Sequence, residues 1–320
     1  TKRTRLEKHV KKGICIGTLP GGISEEGFAL AVEAGFEGVE LGTINDDETR
    51  QNAAALAKKH GVVIPSIMNS VHWAKPMSDP DPAVRQESVD GMMASFDSAE
   101  ATGASTVLLV PAVVSDTVTY EEAWIRSQFE ILGMLEVAEE KKVDISLENV
   151  WNKFLLSPTE FAQYVDQFNS EYVTAYFDIG NIALYGFPHQ WIRTLGARIS
   201  KVHVKGFDTG TRQFTSTLLA GNLDWGASME ALADIGYDGW VCAEMPQDRE
   251  NPRDGAFALS AEMDKLREDN IVGVNHATRE FLFDHFLPSD GPTLNQVRRR
   301  VRDDAAIRKI KKDLKIFGIK

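Results

Sequence analysis

Eight apolar, β-branched runs alternating with eight helix-like stretches predict a (β/α)₈ TIM barrel with a C-terminal helical extension; a doubly wound open sheet is the runner-up. Three observations carry this expectation. The extended runs begin 24, 25, 43, 38, 30, 26 and 40 residues apart, the spacing of strand-helix units. Gly35, Gly61, Gly103 and Gly236 each follow a helical run and precede an extended one, where a residue tolerant of positive φ ends a helix. The connections after the strands are longer than those before them, an asymmetry that builds a functional face at the strands' carboxyl ends.

In order, the extended runs begin at Gly13 (GICIGTLP), Glu37 (EGVELGT), Val62 (VVIPSIMNS), Ser105 (STVLLVP), Val143 (VDISLENV), Val173 (VTAYFDIGN), Ile199 (ISKVHVKGF) and Gly239 (GWVCAEMP). Helices are expected over 24–34, 46–60, 82–102, 120–141, 158–168, 188–195, 226–235 and 252–269. Asp81-Pro82 and Ser157-Pro158 each place a capping side chain before a first-turn proline. The expected organisation is a lead-in over 1–12, the barrel over 13–269 and an extension over 270–320.

Composition bounds the function. With 43% hydrophobic and 26% charged residues in a chain of 320, a sizeable core in a soluble protein is expected, and no segment approaches the roughly 20 apolar residues that span a bilayer. The basic start lacks the apolar stretch of a secretion signal, and Cys15 and Cys242 fall inside extended runs as small hydrophobes, so a cytoplasmic location is expected. Net charge is −12, but residues 291–320 carry +7, which leaves −19 for the rest. So acidic a barrel offers nucleic acid no electrostatic footing. In the tail, Val297, Val301, Ala305, Ile310, Leu314 and Phe317 recur at helical spacing among basic residues. The expectation is an amphipathic helix that packs on the barrel, a second copy or a partner subunit rather than on a membrane.

Glu148, Asp178, His203 and Glu244 each end an extended run. By strand alternation they fall in the polar parity sets Ser146/Glu148, Tyr176/Asp178, Lys201/His203/Lys205 and Cys242/Glu244, opposite apolar sets such as Ile145/Leu147. In a barrel the apolar set meets the helices, so the four ligand-type residues point inward and converge. Three carboxylates and an imidazole suit one divalent ion of intermediate hardness: Mn²⁺ first, with Co²⁺, Mg²⁺ and Zn²⁺ also compatible. Lys205 points the same way as His203 and would neutralise a developing anion or a phosphate. Trp73, Trp151 and Trp225 lie after strands or at a helix start, as candidate apolar walls of a pocket.

Through GFEGVEL, PSIMNSVH, SLENVWNKFLLSP, YFDIGN, KVHVK, GNLDW with IGYDGW, and AEM, the chain resembles the sugar phosphate isomerase/epimerase superfamily of xylose-isomerase-like barrels. Within it, the resemblance is to the L-ribulose-5-phosphate and L-xylulose-5-phosphate 3-epimerases and hexulose-6-phosphate isomerase-like proteins, and more distantly to D-tagatose 3-epimerase. It covers most of residues 13–248. The resemblance implies ketose 3-epimerisation through a cis-enediolate, with the ion held by Glu148, Asp178, His203 and Glu244, and with Glu148 and Glu244 as the acid and base. It further implies that His72 donates to the substrate and that Glu40 orients His72 or bonds a sugar hydroxyl. Asn181 stands where D-tagatose 3-epimerase-type enzymes place a substrate-contacting histidine, and the Asp-Ile-Gly-Asn pattern moves the expectation toward the phosphopentulose branch. No Gly-rich phosphate cradle accompanies it, so a sugar and a sugar phosphate both remain open.

Rival expectations are a metal-dependent lyase on oxidised sugars, resembling inosose dehydratase or the C-glycoside deglycosidase subunit, an endonuclease IV-like nuclease, and a non-catalytic sugar-binding protein. With seven histidines, five of them (His9, His60, His189, His276 and His285) away from strand ends, the chain is poor in ligands for a three-zinc nuclease.

Overall fold

The structure is a computed structural model that describes residues 10–267. The barrel strands are β1 (Lys11–Cys15), β2 (Gly38–Gly42), β3 (Ile67–Met68), β4 (Thr106–Leu109), β5 (Asp144–Glu148), β6 (Val173–Asp178), β7 (Ile199–Val204) and β10 (Trp240–Ala243). They are parallel and follow one another in chain order, and β10 closes onto β1 with Gly13 opposite Cys242. The helices are α1 (Glu25–Glu33), α2 (Asp47–His60), α3 (Pro82–Thr102), α4 (Tyr120–Lys141), α5 (Pro158–Asp166), α6 (Ile179–Ile182), α7 (Pro188–Leu195), α8 (Trp225–Asp234) and α9 (Pro252–Arg267). The expected closed barrel is therefore present, and the open sheet is excluded. The extension expected over 270–320, and the basic amphipathic helix expected within it, lie outside the described residues.

Helix boundaries follow the capping chemistry. Ser24, Asp46, Asp81, Thr119 and Ser157 each accept a backbone N–H of the first turn, and Thr119 with Glu122 forms a reciprocal capping box. Gly61 and Gly103 cap α2 and α3 in the left-handed region, at φ 69° and 77°.

Three departures have physical causes. The strand expected from Val62 shrinks to β3 because Pro65 lacks an N–H; Val63 makes one bridge to Gly38 and the ladder resumes at Ile67. The lead-in ends earlier than residue 12. Lys11 and Lys12 join β1, where the buried Lys12 ammonium donates to Ser260 Oγ (2.9 Å) and Asp264 Oδ1 (2.6 Å) on α9. Between β7 and α8 the chain adds an antiparallel hairpin, β8 (Phe207–Asp208) and β9 (Gln213–Phe214).

The core is continuous from the barrel wall to its helices and includes Phe28, Phe96, Phe161, Phe177 and Trp191. Both cysteines are free and buried, as expected of small side chains in strands. A bulge at Ser200 shifts β7 against β6, from Ala175 opposite Ile199 to Tyr176 opposite Lys201. It aligns Asp178 with His203 at the upper end. No described helix is long and apolar enough to cross a membrane.

Gly38 shows how tightly the barrel foot is packed: a Cβ there would lie 2.4 Å from the ring of Trp240. Gly38→Ala is expected to lower the unfolding free energy by about 1–3 kcal/mol, the usual cost of overpacking. Urea unfolding monitored by circular dichroism measures this, and an unchanged midpoint would contradict the packing.

Candidate metal and acid-base centre

Glu148 and Asp178 end β5 and β6, His203 is next to last in β7, and Glu244 follows β10 directly. Asp178 is also the N-cap of α6, its Oδ1 accepting the Asn181 N–H at 2.7 Å. The side chain of Asn149, directly after Glu148, holds the Asp178 backbone from both sides. Its Nδ2 donates to Asp178 O (2.8 Å) and its Oδ1 accepts the Asp178 N–H (2.9 Å). One asparagine thus continues the ladder between β5 and β6 past their ends and fixes two of the four residues relative to each other.

The four side chains meet as alternation predicts. Their donor atoms all lie within 4.8 Å of one another. His203 Nδ1 is 3.2 Å from Glu148 Oε1 and 3.4 Å from Glu244 Oε2. Lys205 Nζ lies 2.9 Å from Asp178 Oδ2 and also contacts Glu244 Oε2. Asp178 Oδ2, fully buried, nevertheless accepts no hydrogen bond: the ammonium is near but not aligned for donation. Donors on opposite sides of a small divalent ion sit about 4.2 Å apart, so a slight contraction brings this set onto one ion. Fit also follows from charge. Glu40, Glu148, Asp178 and Glu244 crowd together around His203 with Lys205 in contact as the answering cation, an excess of negative charge that a dication would reduce.

Proton affinities within the cluster diverge. Burial pushes Glu148 up to about 7, with the Glu244 charge adding to it against the His203 hydrogen bond. Burial would raise Glu244 as well, but the His203 hydrogen bond and the His203 and Lys205 charges hold it well below the ordinary carboxylate range. Burial works against the Lys205 charge too, and Asp178 and Glu244 more than offset it, keeping the ammonium firmly protonated.

The remaining expected residues divide between the mouth and the interior. His72 is buried, and its Nδ1 accepts the Val110 N–H at 3.3 Å, which leaves the proton on Nε2. Burial lowers its pKa to about 4, with Glu244 opposing, so His72 is a neutral donor. Glu40 corrects the expectation made for it. Its carboxylate bonds His203 Nε2 at 2.6 Å, not His72, and at 1% exposure it cannot reach a sugar. Asn181 is likewise spent inside: its Nδ2 donates to Asn149 O at 3.0 Å, and its backbone carbonyl accepts Trp151 Nε1 at 2.9 Å. The helix start at Trp225 turns its ring into the hydrophobic core, so it is no pocket wall.

Trp73 and Trp151 are 53% and 37% exposed. Trp151 stacks on Phe214 of the hairpin at 4.6 Å and 13°, over the buried Phe207, and Phe214 lies 5.3 Å from Lys205 Nζ. Sequence reasoning missed Asn149, Phe207 and Phe214. Only the Glu-Asn pair was a local signal; the aromatic partners are recognisable only once two distant loops are folded together.

Residues 28–268 match the model of the xylose isomerase-like TIM barrel family, and the chain belongs to it. A relative from Haemophilus influenzae, provisionally named L-ribulose-5-phosphate 3-epimerase SgbU, is 27% identical over 257 residues, covering 75% of this chain and 90% of its own. Among solved structures, an L-ribulose 3-epimerase superposes with a TM-score of 0.70 at 18% identity, covering 88% of this chain and all of that one. A D-allulose 3-epimerase from Methylomonas sp., in complex with D-allulose, gives a TM-score of 0.68 at 18% identity, with 82% of this chain and 98% of that one covered.

Asn149→Ala removes both bonds that clamp Asp178 and leaves a buried N–H and carbonyl unpaired. A loss of about 2–4 kcal/mol in unfolding free energy is expected, from two orphaned groups. Chemical denaturation measures it; a loss below about 1 kcal/mol would show that the clamp is dispensable.

Proposed function

We propose that this protein is a divalent-metal-dependent isomerase or epimerase of sugars or sugar phosphates, acting at carbon 3 of a ketose, with Glu148 and Glu244 as its acid-base pair. The observation that carries this reading is that Glu148, Asp178, His203 and Glu244, all at the carboxyl ends of barrel strands, bring their donor atoms within 4.8 Å of one another, so that two glutamates share one ligand cluster. The names of the Haemophilus relative and of the two solved structures support the same reaction class, 3-epimerisation.

Glu148, Asp178, His203 through Nδ1, and Glu244 would hold the ion, with Mn²⁺ the best match to three carboxylates and one imidazole. A bound divalent ion supplies the Lewis acidity that makes a hydrogen beside a ketose carbonyl removable. The protein's own part is proton handling and orientation. In one direction Glu244 accepts the carbon-bound proton and Glu148 returns one to the opposite face; the reverse direction exchanges the roles. His72 offers its Nε2–H to a substrate oxygen. Lys205, pinned between Asp178 and Glu244, brings a fixed positive charge to where negative charge develops. Trp73 and the Trp151–Phe214 stack wall the mouth with apolar surface suited to a sugar face.

Incubation with L-ribulose, L-ribulose 5-phosphate, D-allulose and 3-keto glycosides in D₂O with Mn²⁺, followed by NMR, reads proton removal whatever the product. Exchange at C3 is expected, and Glu148→Gln or Glu244→Gln should slow it about 10²–10⁴-fold, the range for loss of a general acid or base. Wild-type exchange in either variant would remove that glutamate from the mechanism.

Metal dependence has a separate readout. Mn²⁺ at a hundred times its dissociation constant should stabilise the protein by about 2.7 kcal/mol, reversibly with EDTA, and Asp178→Asn should lose most of that gain. Identical thermal unfolding with EDTA and with Mn²⁺ would overturn the metal assignment.

A further inference from the structure

We infer that Glu40 is a positioning residue that determines which nitrogen of His203 faces the metal site. The inference rests on the metal reading proposed above. His203 borders two groups of potential ligands. Its Nδ1 looks up toward Glu148 and Glu244; its Nε2 looks down toward Glu40 Oε2 at 2.6 Å and Cys15 Sγ at 3.6 Å. The lower group of Cys15, Glu40 and His203 also has its donor atoms within 4.8 Å, and all three residues are buried. An imidazole with its free lone pair on Nε2 would serve a soft metal at the thiol rather than a hard one among the carboxylates.

Glu40 closes the lower option. Its Oε1 accepts Ser66 Oγ at 2.9 Å and the Tyr176 hydroxyl at 3.0 Å, while its Oε2 accepts the Cys15 thiol at 3.0 Å beside the His203 bond. Four donors fill the four acceptor sites of a carboxylate, so Glu40 is held in one orientation with no freedom to turn elsewhere. Tyr176 also packs its ring 4.4 Å from that of His203, at 53°, restricting rotation of the imidazole. With the Nε2 proton engaged by this anion, Nδ1 is the nitrogen left to ligate, and the hydrogen bond raises its basicity. A glutamine at 40 would bring two donors into a ring of donors. Neither the tautomer nor the carboxylate orientation would then be fixed.

The test uses the full chain labelled with nitrogen-15 in histidine and loaded with cadmium-113. Cadmium coupling should appear on His203 Nδ1, with the proton retained on Nε2. In parallel, the Mn²⁺ dissociation constant, read by electron paramagnetic resonance, should rise about 10–100-fold in Glu40→Gln, as on loss of a carboxylate behind a ligating histidine. Tyr176→Phe, which removes a donor to Glu40 but leaves the Glu40–His203 bond, should raise it less. Cadmium coupling to Nε2, or wild-type Mn²⁺ affinity in Glu40→Gln, overturns the inference. If Glu40→Gln does not fold, the coupling pattern of the unaltered protein decides alone. Absence of Mn²⁺ and cadmium binding by the unaltered protein would defeat the metal reading and this inference with it, whereas tight Mn²⁺ binding with the wrong coupling would defeat this inference alone.

Discussion

Burial of like charge organises the upper half of this barrel. Glu40, Glu148 and Asp178 are almost wholly buried and Glu244 adjoins them, so each carboxylate must be answered by a partner or by a proton. Glu40 is answered by four hydrogen-bond donors, whereas Glu148 retains a proton to near neutrality. Asp178 and Glu244 share Lys205. Even the Asp-Ile-Gly-Asn turn serves this arrangement: a Cβ on Gly180 would come within 2.3 Å of Lys205 Cγ. Glycine there keeps open the space through which the lysine stem reaches the carboxylates. Asn149 then holds the Asp178 backbone, so the charges cannot relieve their repulsion by drifting apart.

Below that level the barrel is also unusually polar. Ordinary barrels fill with layers of branched apolar side chains. Here the hydroxyls of Ser146, Thr174 and Ser200 lie 2.9–3.0 Å from one another, and Lys201 Nζ donates to Thr106 Oγ1 at 2.9 Å. The β7 bulge that brings Ser200 into this group also sets the height at which His203 meets Asp178. A middle layer of Cys15, Glu40, Ser66 and Tyr176 is bonded within itself and, through Glu40 and His203, to the ligand group above. Each layer satisfies its own polar atoms, with Asp178 Oδ2 as the exception at the top. A hydrogen-bonded interior is stiff, because moving one member unpairs others at low dielectric. Stiffness at this point is what a ligand set needs if its geometry is to be fixed before an ion or a substrate arrives.

Much of this was legible in the chain. Strand order, helix limits and the convergence of Glu148, Asp178, His203 and Glu244 follow from period-two alternation and capping residues, which are local rules. Glu40 shows where local rules stop. Its place in the β2 run was evident, but its partners come from β1, β6, β7 and the segment before β3, and only barrel closure decides that they surround it. Asn181 is similar: standing where a substrate-contacting histidine was the comparison, it is a buried tie between the loops after β5 and β6. Trp151 and Trp225 looked alike in sequence. One is presented at the mouth by a bond to Asn181 O, while the other begins α8 and faces the core.

That difference separates two kinds of information in the fold. Charges at strand ends are fixed by backbone register, so a one-residue slip would turn them out of the barrel altogether. The aromatic wall is fixed differently, by packing between loops. Phe214 reaches Trp151 because the β7–α8 connection folds tightly on itself: a Cβ on Gly206 would meet Thr215 Oγ1 at 2.1 Å, and one on Gly221 would meet Phe207 O at 2.3 Å. Loops of this kind can change length and composition without disturbing the register beneath them. The chemistry proposed for the site therefore belongs to the strands. On the same proposal, the shape of the substrate belongs to the wall carried by the β7–α8 connection and the loop after β5, the part of the mouth least visible in a linear reading.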